Sequence, residues 1–198
     1  MKAMNNYEKV SAVTERPQLK AGAYVCVIKK AKVVPYPKKD QSGMFEKFEV
    51  AIDIAEGEFK GFYEDNFKSQ NVEDKKWKGV LRNLYVPLDD GSEQDNYTMA
   101  KFKAAMEAVE ESNSGFKWEW DENALQGKKV GVIFRDEEYS FNGYSGWTAK
   151  PFKLISVDAV KNGKFKMPAA LPLKKDENAS VFTSVPAGEI ETADDLPF

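Results

Sequence analysis

Between Lys47 and Ile54 apolar and polar residues alternate without a break. Phe48, Val50, Ile52 and Ile54 fall on one face, and Lys47, Glu49, Ala51 and Asp53 on the other. A repeat of two cannot wind as a helix with one apolar stripe, and one apolar face means one buried side. The segment therefore reads as a half-buried antiparallel strand. That commits the chain to a sheet with a core on one side. Upstream, Leu19 to Val34 is rich in β-branched residues and lacks helix caps, which predicts a long first strand. The stretch from Pro35 to Gly43, with two prolines and a glycine, reads as its end. Gly57 marks a turn or bulge, and Glu58 to Phe67 reads as a third strand.

From Lys68 to Gln94 the pattern is that of a charged loop, with a short strand near Val80 to Val86 and a turn at Asp89-Asp90-Gly91. Thr98 is a candidate cap for a helix reaching Ser112, with Phe102, Ala105, Met106 and Val109 at helical spacing and Gly115 as a stop. Trp118 and Trp120 follow in a loop or short strand. A hairpin comes next: Val130, Val132 and Phe134 alternate, Asn142-Gly143 is a type I′ turn signal, and Trp147 to Val157 forms the return arm. Pro151 in that arm implies an edge or a bulge. Strand, strand, strand, helix, strand, strand is the element order of an OB-like barrel: mainly β, five strands in a Greek key, one helix between strands 3 and 4. The expected organisation is a polar lead-in over 1–16, this domain over 17–175 with 161–175 wrapping its surface, and a flexible acidic C-terminal tail over 176–198.

Charge is divided along the chain. The net value is −3, yet all 29 Lys and Arg lie at or before Lys175, and Asp176 to Phe198 holds six acids and no base. The body therefore carries +3 and the tail −6, an arrangement that fits a polyanion binder with a separate recruiting tail. The chain has no histidine, which removes the commonest general base, the commonest metal ligand and every Ser-His or Cys-His nucleophile. The expectation is a protein that is not an enzyme. Asp136-Glu137-Glu138 and Asp89-Asp90 lack the spacing of a two-metal or calcium site, and no phosphate-cradling glycine motif occurs, so neither metal nor cofactor is expected. Cys26 stands alone in a predicted strand, which fits a buried thiol in a reducing cytoplasm. No apolar run is long enough to span a membrane, and the first residues lack the apolar core of a secretory signal.

Single strands are held where cations meet aromatic faces. Two segments have that composition. Around the first turn, Lys30 and Lys32 lead into Tyr36, Lys38 and Lys39, and Phe45 and Lys47 lead out. Around the second hairpin, Arg135 and Lys150 bracket Tyr139, Phe141, Tyr144 and Trp147. These rings either meet a ligand or pack beneath their own loops. Lys75-Lys76-Trp77-Lys78 reads as a solvated loop or a phosphate clamp, and Arg82 stays undecided.

The closing residues Asp194-Asp195-Leu196-Pro197-Phe198 resemble the acidic tip of bacterial single-stranded-DNA-binding proteins, in which acids precede an aliphatic residue, Pro and a terminal Phe. Ala193 stands where the usual tip has another acid, and Leu196 replaces Ile. The body is more similar to the divergent, OB-type members carried by phages and prophages. The resemblance implies sequence-tolerant binding and protection of single-stranded DNA in replication, recombination and repair, in the cytoplasm of a bacterial host. It also implies roles in the tip. Phe198 would fill an apolar pocket of a partner enzyme with its carboxylate on a basic residue, Pro197 would fix the turn, and Asp194 and Asp195 would meet a basic rim. The alternative is an assembly module that uses the same tip to dock on protein and binds no DNA. Oligomeric state stays open.

Overall fold

The computed structural model describes residues 18–38 and 40–173. The lead-in over 1–16, Lys39 and the tail over 176–198 with its tip Asp194–Phe198 lie outside the described residues. Strand β1 spans Gly22–Pro37, β2 Met44–Ile54, β3 Val80–Leu81, β4 Lys129–Phe141 and β5 Tyr144–Ile155. Helix α1 covers Phe62–Ser69, α2 Glu93–Ser112 and α3 Val157–Lys161, and a 3-10 turn covers Glu122–Leu125. The protein is mainly β. All five strands pair antiparallel in one open sheet of order β3-β2-β1-β4-β5.

The alternation in β2 does what its period demands: Phe48, Val50, Ile52 and Ile54 are all at most 2% exposed. They meet Cys26 and Ile28 of β1, Val130, Val132 and Phe134 of β4, and Phe102, Met106 and Val109 of α2 in one core. Phe102 sets its ring edge-on to Phe48 at 5.4 Å. Burying each large apolar side chain contributes about 1.5–3 kcal/mol. A bulge between Ile28 and Lys30 shifts the phase of β1. Before it Cys26 and Ile28 face inward; after it Ala31 does, so Lys30 and Lys32 are turned out to solvent.

The structure departs from the sequence reading at several points. Strand β1 does not stop at Pro35 but continues through Tyr36 to Pro37. Lys38 donates its backbone N–H to the Gly43 carbonyl, so residues in step with Lys38 bond toward β2. Pro35 and Pro37, out of step, face the edge that β4 has left by Val27, where the missing N–H breaks no pairing. Glu58 to Phe67 is not a strand. The carboxylate of Asp53 accepts the Ile54 and Tyr63 backbone N–H groups, and the chain winds into α1, burying Tyr63. The third strand is the short β3. Helix α2 begins well before Thr98. Ser92 caps it by accepting from the Asp95 N–H, and Thr98 merely donates to the Gln94 carbonyl within the helix.

The hairpin forms as read, with Asn142 and Gly143 both at positive φ, 49° and 79°. Pro151 sits at a register shift opposite Phe134, the bulge its missing donor calls for. The return arm begins earlier than expected, at Tyr144, and ends at Ile155 before Ser156 caps α3. Trp118 and Trp120 belong to no strand. In the segment read as a wrap, Leu171 pairs parallel with Glu137, exchanging backbone bonds with Asp136 and Glu138 on the edge of β4 opposite β5, past Phe134 where the pairing with β1 has ended. Among the described residues no helix is long and apolar enough to cross a membrane.

Gly79 is the tightest approach of backbone to core near β3. A Cβ there would stand 2.5 Å from the Tyr63 ring and 2.7 Å from the Ile52 carbonyl oxygen. Gly79→Ala should cost about 1–3 kcal/mol through this overpacking, read as a lower urea midpoint with an unchanged slope.

Candidate nucleic-acid interface

Beyond the bulge, every second residue of β1 points away from the core, and β2 matches it across the pairing of Lys32 with Glu49, Val34 with Lys47 and Tyr36 with Phe45. The same register carries on into the segment after β3, where Tyr85 bridges to Lys47. The outward face of these three segments therefore gathers Lys30, Lys32 and Tyr36 from β1, Phe45, Lys47 and Glu49 from β2, and Arg82 and Tyr85 beside β3.

Two clusters organise this face. In the first, the rings of Tyr36 and Phe45 lie 5.8 Å apart at 24°, and those of Phe45 and Tyr85 5.7 Å apart at 29°. Lys47 Nζ sits over all three, 5.1 Å from the Tyr36 and Tyr85 centroids and 5.6 Å from that of Phe45. The Tyr85 hydroxyl is buried and has no hydrogen-bond partner among the described residues. In the second, Glu49 is 7% exposed and takes the Tyr36 hydroxyl at 2.5 Å, Arg82 Nε at 3.1 Å and Lys32 Nζ at 3.7 Å. Burial pushes the Glu49 carboxyl up, but the Tyr36 hydroxyl and the Arg82 and Lys32 charges prevail and hold it below the usual carboxylate range. Burial, with the bond to the Glu49 carboxylate next, pushes Tyr36 up to about 12.

The second predicted group is placed apart from the first. Gly22 of β1 pairs with Phe134, so β4 and its hairpin extend past the start of β1, whereas the β1–β2 turn lies past its end. Within the hairpin, Phe141 pairs with Tyr144 and Tyr139 with Gly146, which sets these rings on one face; Trp147 pairs with Glu138 on the other. Arg135 is held by Glu137 at 2.9 Å and stacks its guanidinium 4.4 Å over Phe152, and Lys150 reaches the same Glu137 at 3.0 Å. Both cations are thus tied to a carboxylate at the foot of the hairpin. Lys38 is exposed at the β1–β2 turn.

In the Lys75–Lys78 stretch the three lysines are exposed, but Trp77 anchors the loop by donating Nε1–H to the Ile52 carbonyl at 3.0 Å. Sequence reasoning left out Glu49 and Tyr85. Glu49 looked like one more polar residue of the solvent face, and Tyr85 lay at the end of a strand prediction with no partner yet known. Comparison with known protein families found no matching family model, and no curated protein matches the chain.

The Tyr36–Glu49 contact has a defined pH signature. The folded value of about 12 lies above the ordinary 10.0, so the stability it carries is present below pH 10 and is lost as pH rises toward 12. Burial also raises Tyr24 and Tyr63, so ultraviolet difference titration should show several tyrosines ionising late, Tyr36 among them. Glu49→Gln, which keeps an acceptor but removes the charge, should bring Tyr36 back toward the ordinary value.

Proposed function

We propose that this protein binds single-stranded DNA without sequence preference and without catalysis, protecting it during replication, recombination or repair. The observation that carries this reading is the outward face of β1, β2 and the β3 segment. There three stacked rings lie under Lys47, with Lys30, Lys32 and Arg82 alongside. Cations that track a backbone beside flat apolar rings are what a single strand requires, since its bases offer π-faces of every sequence and its phosphates offer regular charge. Glu49 is shared between Lys32 and Arg82 and fixes their positions, so the face keeps an excess of positive charge. Lys38 extends the basic edge at the turn, and the rings of the second hairpin supply a further contact.

The strand order supports an OB-like Greek-key barrel. An order of β3-β2-β1-β4-β5 needs only a β3–β5 approach to close, and residues of those two strands come within 8 Å, Cα to Cα. Helix α2 falls between β3 and β4, as in that fold. In this reading the domain spans 17–175, and the tip from Asp194 to Phe198 recruits partner proteins in the bacterial cytoplasm through its acids and terminal ring.

Fluorescence anisotropy with labelled oligothymidylate, run across a salt series beside a matched duplex, tests the reading. Binding should favour the single strand and weaken with salt. Lys30→Ala should lower affinity and reduce the slope of log K against log salt by about 0.7, the value for one lost single-strand phosphate contact. Equal or stronger duplex binding would overturn the proposal. No binding of either strand would shift the reading to a protein-docking module.

A further inference from the structure

We infer that the tip of the β4–β5 hairpin is a stacking surface for unpaired bases that operates without phosphate contacts, separate from the charged face on β1 and β2. The inference rests on the single-strand reading and assigns bases and phosphates to different ends of the sheet. Charged residues make up 31% of the chain, yet the run from Tyr139 to Ala149 contains none. The two cations nearest along the same face, Arg135 and Lys150, are bound by Glu137 at 2.9 and 3.0 Å. Among the described residues, a phosphate approaching the tip therefore finds no uncommitted cation along that face.

The tip offers ring faces instead. Phe141 is 56% exposed and Tyr144 78%, directly opposite each other across the turn. Neither ring belongs to the ring–ring contacts found among the described residues, whereas the rings on the β1–β2 face stack on one another. Tyr139 completes the surface. Its ring lies across Gly146, where an added Cβ would come within 3.0 Å of the hydroxyl and 3.1 Å of the ring, so the ring beds on bare backbone with one side left open. Three aromatic rings on one face of a short hairpin is more apolar exposure than a solvated turn normally carries. The type I′ turn at Asn142-Gly143 holds the strands in fixed register, so the rings are presented by a rigid element. Each base stacked on such a ring adds affinity that does not depend on its sequence or on salt.

The decisive experiment compares oligothymidylate with its uncharged methylphosphonate analogue, both titrated by anisotropy across a salt series. The intact protein should bind the uncharged strand more weakly than the natural one and almost independently of salt. Phe141→Ala combined with Tyr144→Ala should weaken both about tenfold or more while leaving the salt slope for oligothymidylate unchanged. Phe141→Tyr combined with Tyr144→Phe keeps two flat rings and should restore the affinity; a loss that this pair does not restore would belong to the fold of the hairpin and would overturn the inference. Unchanged affinity in the alanine pair, a reduced slope, or failure of the intact protein to hold the uncharged strand while it binds the natural one would also overturn it, with the single-strand reading left standing. Failure of the intact protein to bind oligothymidylate at all would remove both.

Discussion

Strand β1 bonds to different neighbours along its length. Gly22–Val27 pairs with β4, while the part from Cys26 to Pro37 pairs with β2, and the bulge between Ile28 and Lys30 lies where the first pairing ends and the second continues. A strand has two hydrogen-bonding edges, and buried backbone donors and acceptors must be paired. Past Val27 one edge of β1 has no paired strand among the described residues, and Pro35 and Pro37, which have no N–H to pair, stand along it. The same bulge turns Lys30 and Lys32 outward while the core continues through Ala31. One extra residue in one strand thus gives the sheet both its sealed interior and its charged exterior.

The outward face then follows from pairing rather than from any local motif. Tyr36 and Glu49 are 13 residues apart, and Arg82 is 33 from Glu49, yet all three meet because β2 lies between β1 and the β3 segment. Glu49 is buried at 7% exposure, which would be costly for a lone carboxylate. A phenol, a guanidinium and an ammonium around it offset that cost and are themselves held in place. Such a cluster is stiff at its centre and charged at its rim. Lys47 beds on three rings in the same manner, so this face is built from cations resting on aromatic and anionic supports. In the proposed role that arrangement presents charge to a phosphate backbone with little side-chain entropy left to lose.

Parts of this architecture were legible in the residues alone. The period-two run through Phe48 and Ile54 named its own buried face. Asn142-Gly143 specified its turn because only residues tolerant of positive φ fit both positions. Pro151 announced a bulge because it has no N–H to give. Each of these depends on a residue's own covalent geometry or on its immediate neighbours. The misreadings share the opposite origin. Glu58 to Phe67 winds into α1 because the Asp53 carboxylate, at the far end of β2, accepts the Tyr63 N–H. The start of α2 was displaced from Thr98 to Ser92 because Asp95 also reaches back to the Leu88 and Asp90 N–H groups and pins the preceding loop.

What the sequence determined was therefore the material of the protein: strands with one apolar face, the position of the hairpin turn, a histidine-free chain whose closing stretch carries acids and no base, and two segments where cations and rings alternate. Those follow from periodicity, φ preference and charge, which are properties of neighbouring residues. Only the tertiary structure decided which of the two segments became a charged platform. Register joined Lys47, Tyr36, Phe45 and Tyr85 into one cluster, and drew Lys32 and Arg82 onto Glu49. It also tied Arg135 and Lys150 to Glu137 and left the rings beyond them bare and uncharged. Contacts of that kind depend on which strands lie side by side, and strand neighbours are settled by burial across the whole sheet, not by any stretch of chain read alone.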